Sequence, residues 1–504
     1  MPYPATEPDS EKFPSEAVDA LTRQGLQGLY IPASLGGRLT DHTELLTALR
    51  TIAARDLTLA IAHGKTFLGA VGVWLSGSPE QTARLAALIT EGAPVALALT
   101  EPEHGADLLA TDTTAVRTER GFVLRGRKWP VNNATRGRLL CLLAKGEGDA
   151  LNLHLIDKED LPDSGWRHLP KVPTHGIRGA DISGIEFDGV TVPAGTLIGT
   201  PGSGLATVVK GLQLTRTMCA ALSLGAADHA LRLALANDDT TPWNDEVLAT
   251  ALADRLINEA VALVAARSIH ALPGEMAVMS AVVKYLVPTR TDRLLEDLAD
   301  LAGPDGDYRE VVRDHRVVGL FDGSTVVNLA SLTAQFPLLL NGYRSEHVDH
   351  DGLRAALDLS APPPAFAPEH LSPLAIGGSS VLNALPAHTR SVTGPAAGQV
   401  ESLKERVDTI TARLGGPAAP NGRAPAERLH LAARLTEAVA AAACVGLWLA
   451  NAYRLDTPLW TDAAWLRLAL WRLENTSPLD PRLRDICLAE SRATSGRTPS
   501  LMPC

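Results

Sequence analysis

The sequence predicts a mostly helical α+β protein, with one β domain set between helical blocks. Two observations carry this. Apolar periodicity is helical up to about residue 93, breaks into short runs divided by Gly, Asp and Pro up to about residue 202, and is helical again afterwards. A proline- and glycine-rich stretch then sets off one more helical region. Five segments are therefore expected: an N-terminal helical domain 1–93, a middle β domain 94–202, a C-terminal helical domain 203–345 resembling a four-helix bundle, a Pro/Gly-rich linker or irregular wrap 346–396, and an extra helical domain 397–504. At 504 residues the chain is too long for one hydrophobic core, which agrees with several domains.

Each element has a local reason. Pro14 opens a helix at Ser15, Glu16, Ala17 and Val18, and the chain turns at residues 32–37. A long Ala/Leu-rich stretch, residues 44–75, carries Leu45, Leu46, Leu49, Ile52 and Ala53 at helical spacing. Residues 76–80 stop that helix and cap the next. Short runs at 95–99, 114–117, 122–125, 139–143, 151–156 and 182–192 read as strands. Helices follow at 205–236, 245–271 and 276–301, and again at about 397–414, 425–453, 461–474 and 481–490.

Composition excludes some partners. With 45% hydrophobic and 20% charged residues the chain reads as globular, and a net charge of −11 argues against nucleic acid or an anionic membrane. Its five cysteines (Cys141, Cys219, Cys444, Cys487, Cys504) are scattered, without Cys-x-x-Cys spacing or clustered histidines, so neither a disulfide framework nor a metal site is expected. The N-terminus has no basic and apolar leader, and no apolar run is read as long enough to span a bilayer. A cytoplasmic location is the expectation.

The most informative segment is 313–324. The charged cluster Arg313, Asp314, His315 and Arg316 leads through Val317, Val318, Leu320 and Phe321 to Asp322, Gly323 and Ser324, before a second apolar run. Asp-Gly is an ordinary turn signal, and a cap on the next helix is the simplest role for Asp322. A lone carboxylate between apolar segments is also where desolvation makes a usable base.

Two segments of the β block change the weighing. Residues 97–107 read Leu97, Ala98, Leu99, Thr100, Glu101, Pro102, Glu103, His104, Gly105, Ala106, Asp107; residues 124–134 include Gly126, Lys128, Trp129, Pro130, Val131, Asn132 and Asn133. They resemble the flavin-contacting segments of the acyl-CoA dehydrogenase family, T-E-P-x-x-G-S-D and G-x-K-x-W-I-T-N. Residues 313–324 resemble that family's catalytic loop, in which R-D-x-R precedes Y-E-G-T and the glutamate is the base. The resemblance covers about residues 13–332 in the family's own order of elements.

It implies the acyl-CoA dehydrogenase fold and FAD as cofactor, with Leu97, Leu99, Thr100, Pro130, Asn132 and Ser324 at the cofactor. It also implies Ala106 and Arg216 at the substrate, and Asp322 as the base. The implied partners are an acyl-CoA or acyl-carrier-protein substrate and an electron-transfer partner or O2, in a homodimer or homotetramer. An apolar wall with a few polar groups at its edge is what an isoalloxazine needs.

The departures are specific. Ala106 replaces the family's serine, and Pro130 and Asn132 stand where Trp and Thr are usual. The acidic run 237–243 replaces R-x-x-F-G, and 300–304 replaces Q-x-x-G-G, which weakens the expected grip on pyrophosphate. Asp322 is shorter than glutamate by one C–C bond, about 1.5 Å. A flavin oxidase branch acting on nitroalkanes also has aspartate there. Three functions follow in order: FAD-dependent α,β-dehydrogenation of an acyl thioester, a flavin monooxygenase or oxidase on the same fold, and a non-catalytic relative without cofactor. Arg178 and Arg316 are expected to brace loops through Asp181 or Asp314, His315 is given no role, and Cys219 is expected in the core.

Overall fold

The computed structural model describes residues 3–4, 10–236, 241–303, 306–415, 426–455, 457–474, 477–493 and 499–502. Two compact units form: residues 1–40 with 56–215, and residues 41–55 with 216–504.

In the first unit, helices accompany an eight-stranded sheet. Ser15–Arg23 buries Ala17, Ala20 and Leu21 along one stripe. Leu57–Ser76 starts at Asp56, whose carboxylate accepts from the Leu59 N–H, and stops at Gly77. Pro79–Thr90 opens with a capping box between Ser78 and Gln81, as the run 76–80 predicts. The long stretch 44–75 is not one helix, however. It breaks between Ala53 and Leu57 because Asp56 caps a new helix there, and the first piece, His42–Ala53, belongs to the second unit.

The strands are β1 (Val95–Ala98), β2 (Thr114–Thr118), β3 (Gly121–Asn132), β4 (Leu139–Lys145), β5 (Leu151–Asp157), β6 (Trp166–Leu169), β7 (Ile182–Val192) and β8 (Leu197–Ile198). Their order is β6-β7-β3-β2-β4-β5-β8, with β1 parallel to β4. Ala96, Ala98, Leu124, Leu140, Leu142, Ile185 and Phe187 meet on the inner face as its core. Alternation then puts Leu97 and Leu99 on the outer face.

The second unit is helical. Pro242–Ala271 is capped by Thr241 and buried on nearly every side. Such a helix must satisfy its polar residues internally. Arg255 donates to Asp228 and Glu259, and Arg50 bonds the same two carboxylates. Ser500 and the Leu501 N–H complete Glu259. Asp254 on that helix joins Arg290 and Arg472, so the last helices are tied to it by charge as well as by apolar contact.

The extra region forms Ala397–Ala412, Ala426–Asn451, Ala464–Glu474 and Pro481–Ala493, close to the periods read from sequence. Residues 346–396 are not a free linker. They hold the helices His350–Leu357, Ser380–Asn383 and Leu385–Ser391, and bury Leu353, Leu357, Leu371, Leu382 and Leu385. Arg267 grips the Ala355 and Ala361 carbonyls, so the segment wraps the helices.

The expectation about apolar runs needs correction. Leu57–Ser76, Gly204–Leu235 and Ala426–Asn451 are long and apolar enough to cross a membrane by length and composition. Each buries about four-fifths of its apolar window, at 78%, 83% and 78%, so protein packing already occupies those faces. The described cysteines, Cys141, Cys219, Cys444 and Cys487, are buried and unbridged.

Gly225 shows how closely the helices of this unit approach. A Cβ there would lie 2.5 Å from the Ala53 Cβ and 2.7 Å from the Ala53 carbonyl carbon. Backbone cannot yield as a side chain can. Gly225→Ala is therefore expected to lower stability by about 1–3 kcal/mol in urea unfolding; an unchanged midpoint would show that these helices separate freely.

Candidate active site

In the first unit, the two β-block segments are fastened by a buried ion pair. Glu101 is 4% exposed and Lys128 is 0% exposed, and their charged atoms lie 2.8 Å apart. Glu101 also accepts from the Asp112 N–H at 2.7 Å, the Thr113 N–H at 3.0 Å and the Thr113 hydroxyl at 2.6 Å. Lys128 Nζ donates onward to the Leu99 carbonyl and the Thr111 hydroxyl. Burial alone would raise the Glu101 carboxyl, but the ammonium, the hydroxyl and the backbone donors outweigh it and hold the group down at about 2. The sequence reading gave neither residue a role. The signal was there: two opposite charges recur inside the two apolar motifs.

This pair sets the backbone that presents the expected cofactor residues. The Trp129 N–H donates to the Thr100 carbonyl at 2.9 Å. The β3–β7 register then shifts, with Lys128 opposite Ile185 and Val131 opposite Ser183, across a cis Trp129–Pro130 peptide. Before the shift Leu124 and Lys128 are buried; after it Val131 joins the core. The bulge thus changes which side of β3 faces inward, and Pro130 and Asn132 point outward. Gly184 opposes the bulge, where a Cβ would meet the Lys128 carbonyl at 2.6 Å.

Trp129 is half-buried and outside the sheet core. Ala106 is exposed in the turn after Glu101. His104 pairs with Asp112 at 2.8 Å. Glu101, His104 and Asp112 bring ligand atoms within 4.8 Å of one another, but Glu101 is already neutralised by Lys128.

The outer face fits an isoalloxazine. Leu97, Leu99 and Pro130 offer apolar surface, Thr100 a hydroxyl, and Asn132 an amide whose buried Oδ1 has no hydrogen-bond partner. The pyrophosphate contacts are another matter. Of the acidic turn, 237–240 lies outside the described residues, as does Pro304. Among the described remainder, Thr241, Pro242, Trp243, Asp300, Leu301, Ala302 and Gly303, no cation is present.

In the second unit, the segment after Gly306–His315 is gripped at several points. His315 is fully buried, with Nδ1 2.7 Å from Asp292 Oδ1 and Nε2 2.9 Å from Ser223 Oγ. Lys284 Nζ donates to the Val318 carbonyl at 2.7 Å. Arg216 Nε donates to the Asp322 carbonyl at 2.9 Å, and the Cys219 thiol donates to Asp322 Oδ2 at 3.1 Å. Arg216 is drawn below its ordinary value by burial, against the pull of Asp322.

Asp322 has φ +55° and Gly323 φ +96°, a left-handed pair that aspartate and glycine tolerate best. The cap on helix Thr325–Arg344 is Ser324, whose Oγ accepts from the Val327 N–H, while the Asn328 amide holds the Gly323 and Ser324 carbonyls. Asp322 is therefore not the helix cap. Its carboxylate sits in the turn, bonded to a thiol.

Asp314 is held by the neighbouring Arg313, while Arg316 is exposed. Asp181 serves the Thr135 and Arg136 N–H groups and the Ser183 hydroxyl. Cys219 is buried, at 3% exposed, yet it belongs to the Asp322 turn rather than to packing alone.

Residues 1–93 match the acyl-CoA dehydrogenase N-terminal domain, and residues 96–190 match the middle domain. A probable acyl-CoA dehydrogenase of Mycobacterium tuberculosis is 26% identical over 65% of this chain and 88% of its own length. Residues 1–190 are thus similar to the first two domains of acyl-CoA dehydrogenases. Cyclohex-1-ene-1-carbonyl-CoA dehydrogenase of Geobacter metallireducens is another relative, 25% identical over 62% of the chain and 88% of the relative. The acyl-CoA dehydrogenase fold extends into the last helices. A solved acyl-CoA dehydrogenase from Bacillus anthracis, complexed with FAD, covers 96% of this chain and 90% of its own at a TM-score of 0.63 and 18% identity. Both named relatives are dehydrogenases by name.

Proposed function

We infer that the protein carries out FAD-dependent α,β-dehydrogenation of an acyl thioester, bound to CoA or to a carrier protein, with Asp322 as the base for the α-proton. The observation that carries this is the Asp322 turn. Ser324 takes the capping role, and Arg216 and Cys219 fix the Asp322 backbone and one carboxylate oxygen in the turn. FAD, held through Leu97, Leu99, Thr100, Pro130 and Asn132, would supply the acceptor for the β-hydride. The role of this chain's own groups is to take the proton and to hold the thioester, with Ala106 and Arg216 on the substrate side.

An aspartate one bond shorter than glutamate has less reach, and proton transfer needs hydrogen-bond distance. A substrate other than a plain fatty acyl chain is consistent with that. The purified protein is expected to show a flavin absorption spectrum that an acyl-CoA bleaches under anaerobic conditions. A colourless protein, or a bound flavin that no acyl thioester reduces, would sink the proposal. Rapid O2 consumption after reduction would identify O2, rather than an electron-transfer partner, as the acceptor.

A further inference from the structure

Helix Gly204–Leu235 presents Arg216, Cys219 and Ser223 at spacing i, i+3, i+7, which is one face. All three residues bond the segment 313–324: Arg216 the Asp322 carbonyl, Cys219 the Asp322 carboxylate, and Ser223 the His315 ring. Cys219 bonds the side chain of the proposed base itself. We propose that Cys219 is the positioning residue for the base, its thiol holding the Asp322 carboxylate in one orientation; this rests on Asp322 acting as the base.

The chemistry suits a thiol. A carboxylate in a turn can rotate about its Cα–Cβ bond, and a base one methylene short loses most from that freedom. A hydroxyl would fix it equally well, but it is a stronger donor and would stabilise the anion and weaken it as a base. The S–H group is a weak donor, so it orients the carboxylate at little loss of basicity. The charged groups facing this turn are Arg216 on the same helix and Lys284 on helix Met276–Asp297, whose ammonium lies 5.5 Å from the Phe321 ring. The His315–Asp292 pair holds the far end of the segment. Arg216 also feels Cys219 directly, so Cys219→Ser, which keeps a donor at this place, is the control for a change at that residue.

The test measures anaerobic flavin reduction by acyl-CoA against pH in the flavin-loaded protein, with Cys219→Ala and Cys219→Ser. Cys219→Ala is expected to lower the limiting rate about threefold to tenfold with KM unchanged. It should also move the acid limb of the rate profile up by about half a pH unit, a factor of about three. Cys219→Ser is expected to restore much of the rate and to move that limb down. A cysteine that only packs would change the melting temperature and leave the limb in place. Coincident wild-type and Cys219→Ala profiles, with rates within twofold, overturn the proposal. Asp322→Asn separates the two failures: if it keeps wild-type rates, the base assignment is wrong, and if it is inert while Cys219→Ala is normal, only the role of Cys219 is wrong.

Discussion

Asp322→Asn is expected to lower the rate of flavin reduction by acyl-CoA about 10²–10⁴-fold, the usual contribution of a positioned acid or base. The change removes basicity and, with it, the negative charge that faces the buried Arg216. Asparagine matches aspartate in shape and tolerates the φ of +55° at this turn, and its amide oxygen can still accept from Cys219. The Arg216 bond reaches the backbone carbonyl and does not depend on the side chain. The variant should therefore keep its fold and its flavin spectrum, with a lowered melting temperature from the loss of the charge facing Arg216.

Asp322→Glu is a different case. It lengthens the side chain by about 1.5 Å and places a longer residue in a left-handed turn. About a tenfold loss is expected, with some turnover kept. Wild-type bleaching rates in Asp322→Asn would show that the proton goes elsewhere.

The fold was legible because period and punctuation agreed. Residues 76–80 carried a complete capping box, and the helices from 397 onward kept a regular apolar stripe. The break at Asp56 was missed because the apolar pattern continues on both sides of it; only the single capping carboxylate marks it. The candidate site was read from segments in the order of a known pattern, with Thr100 matching it and Asn132 and Asp322 substituted within it.

What could not be read was partnership. Glu101 and Lys128 lie 27 residues apart in the chain, and Cys219 lies 103 residues from Asp322. No local signal joins such residues, because their contacts are made by packing of distant elements. Glu101, Lys128, Arg216 and Cys219 are all of that kind.

Lys128→Met is expected to be the most damaging substitution in the first unit, by about 3–5 kcal/mol. The size follows from what is left behind. Glu101 would remain buried with its hydroxyl and backbone donors but without the ammonium 2.8 Å away, and an uncompensated buried carboxylate is costly. Over a unit of about 200 residues this corresponds to roughly 6–20 °C in its melting temperature. Adding Glu101→Gln should recover most of the loss, since two neutral groups need no counter-charge; a double variant as unstable as the single one would refute the pairing.

The same pair fixes the acid behaviour. Glu101 sits at about 2 when folded and near 4.3 when unfolded, so between those values the unfolded chain binds more protons. The stabilisation is thus fully present above about pH 5 and is lost as pH falls towards 2. Glu101→Gln should flatten that part of the stability profile. Because Lys128 also holds the Leu99 carbonyl, and the Trp129 N–H holds Thr100, the pair's loss should reach the outer face too. Flavin affinity in Lys128→Met is expected to fall even at temperatures where the unit stays folded. Retained affinity would show that the outer face is set by the sheet alone.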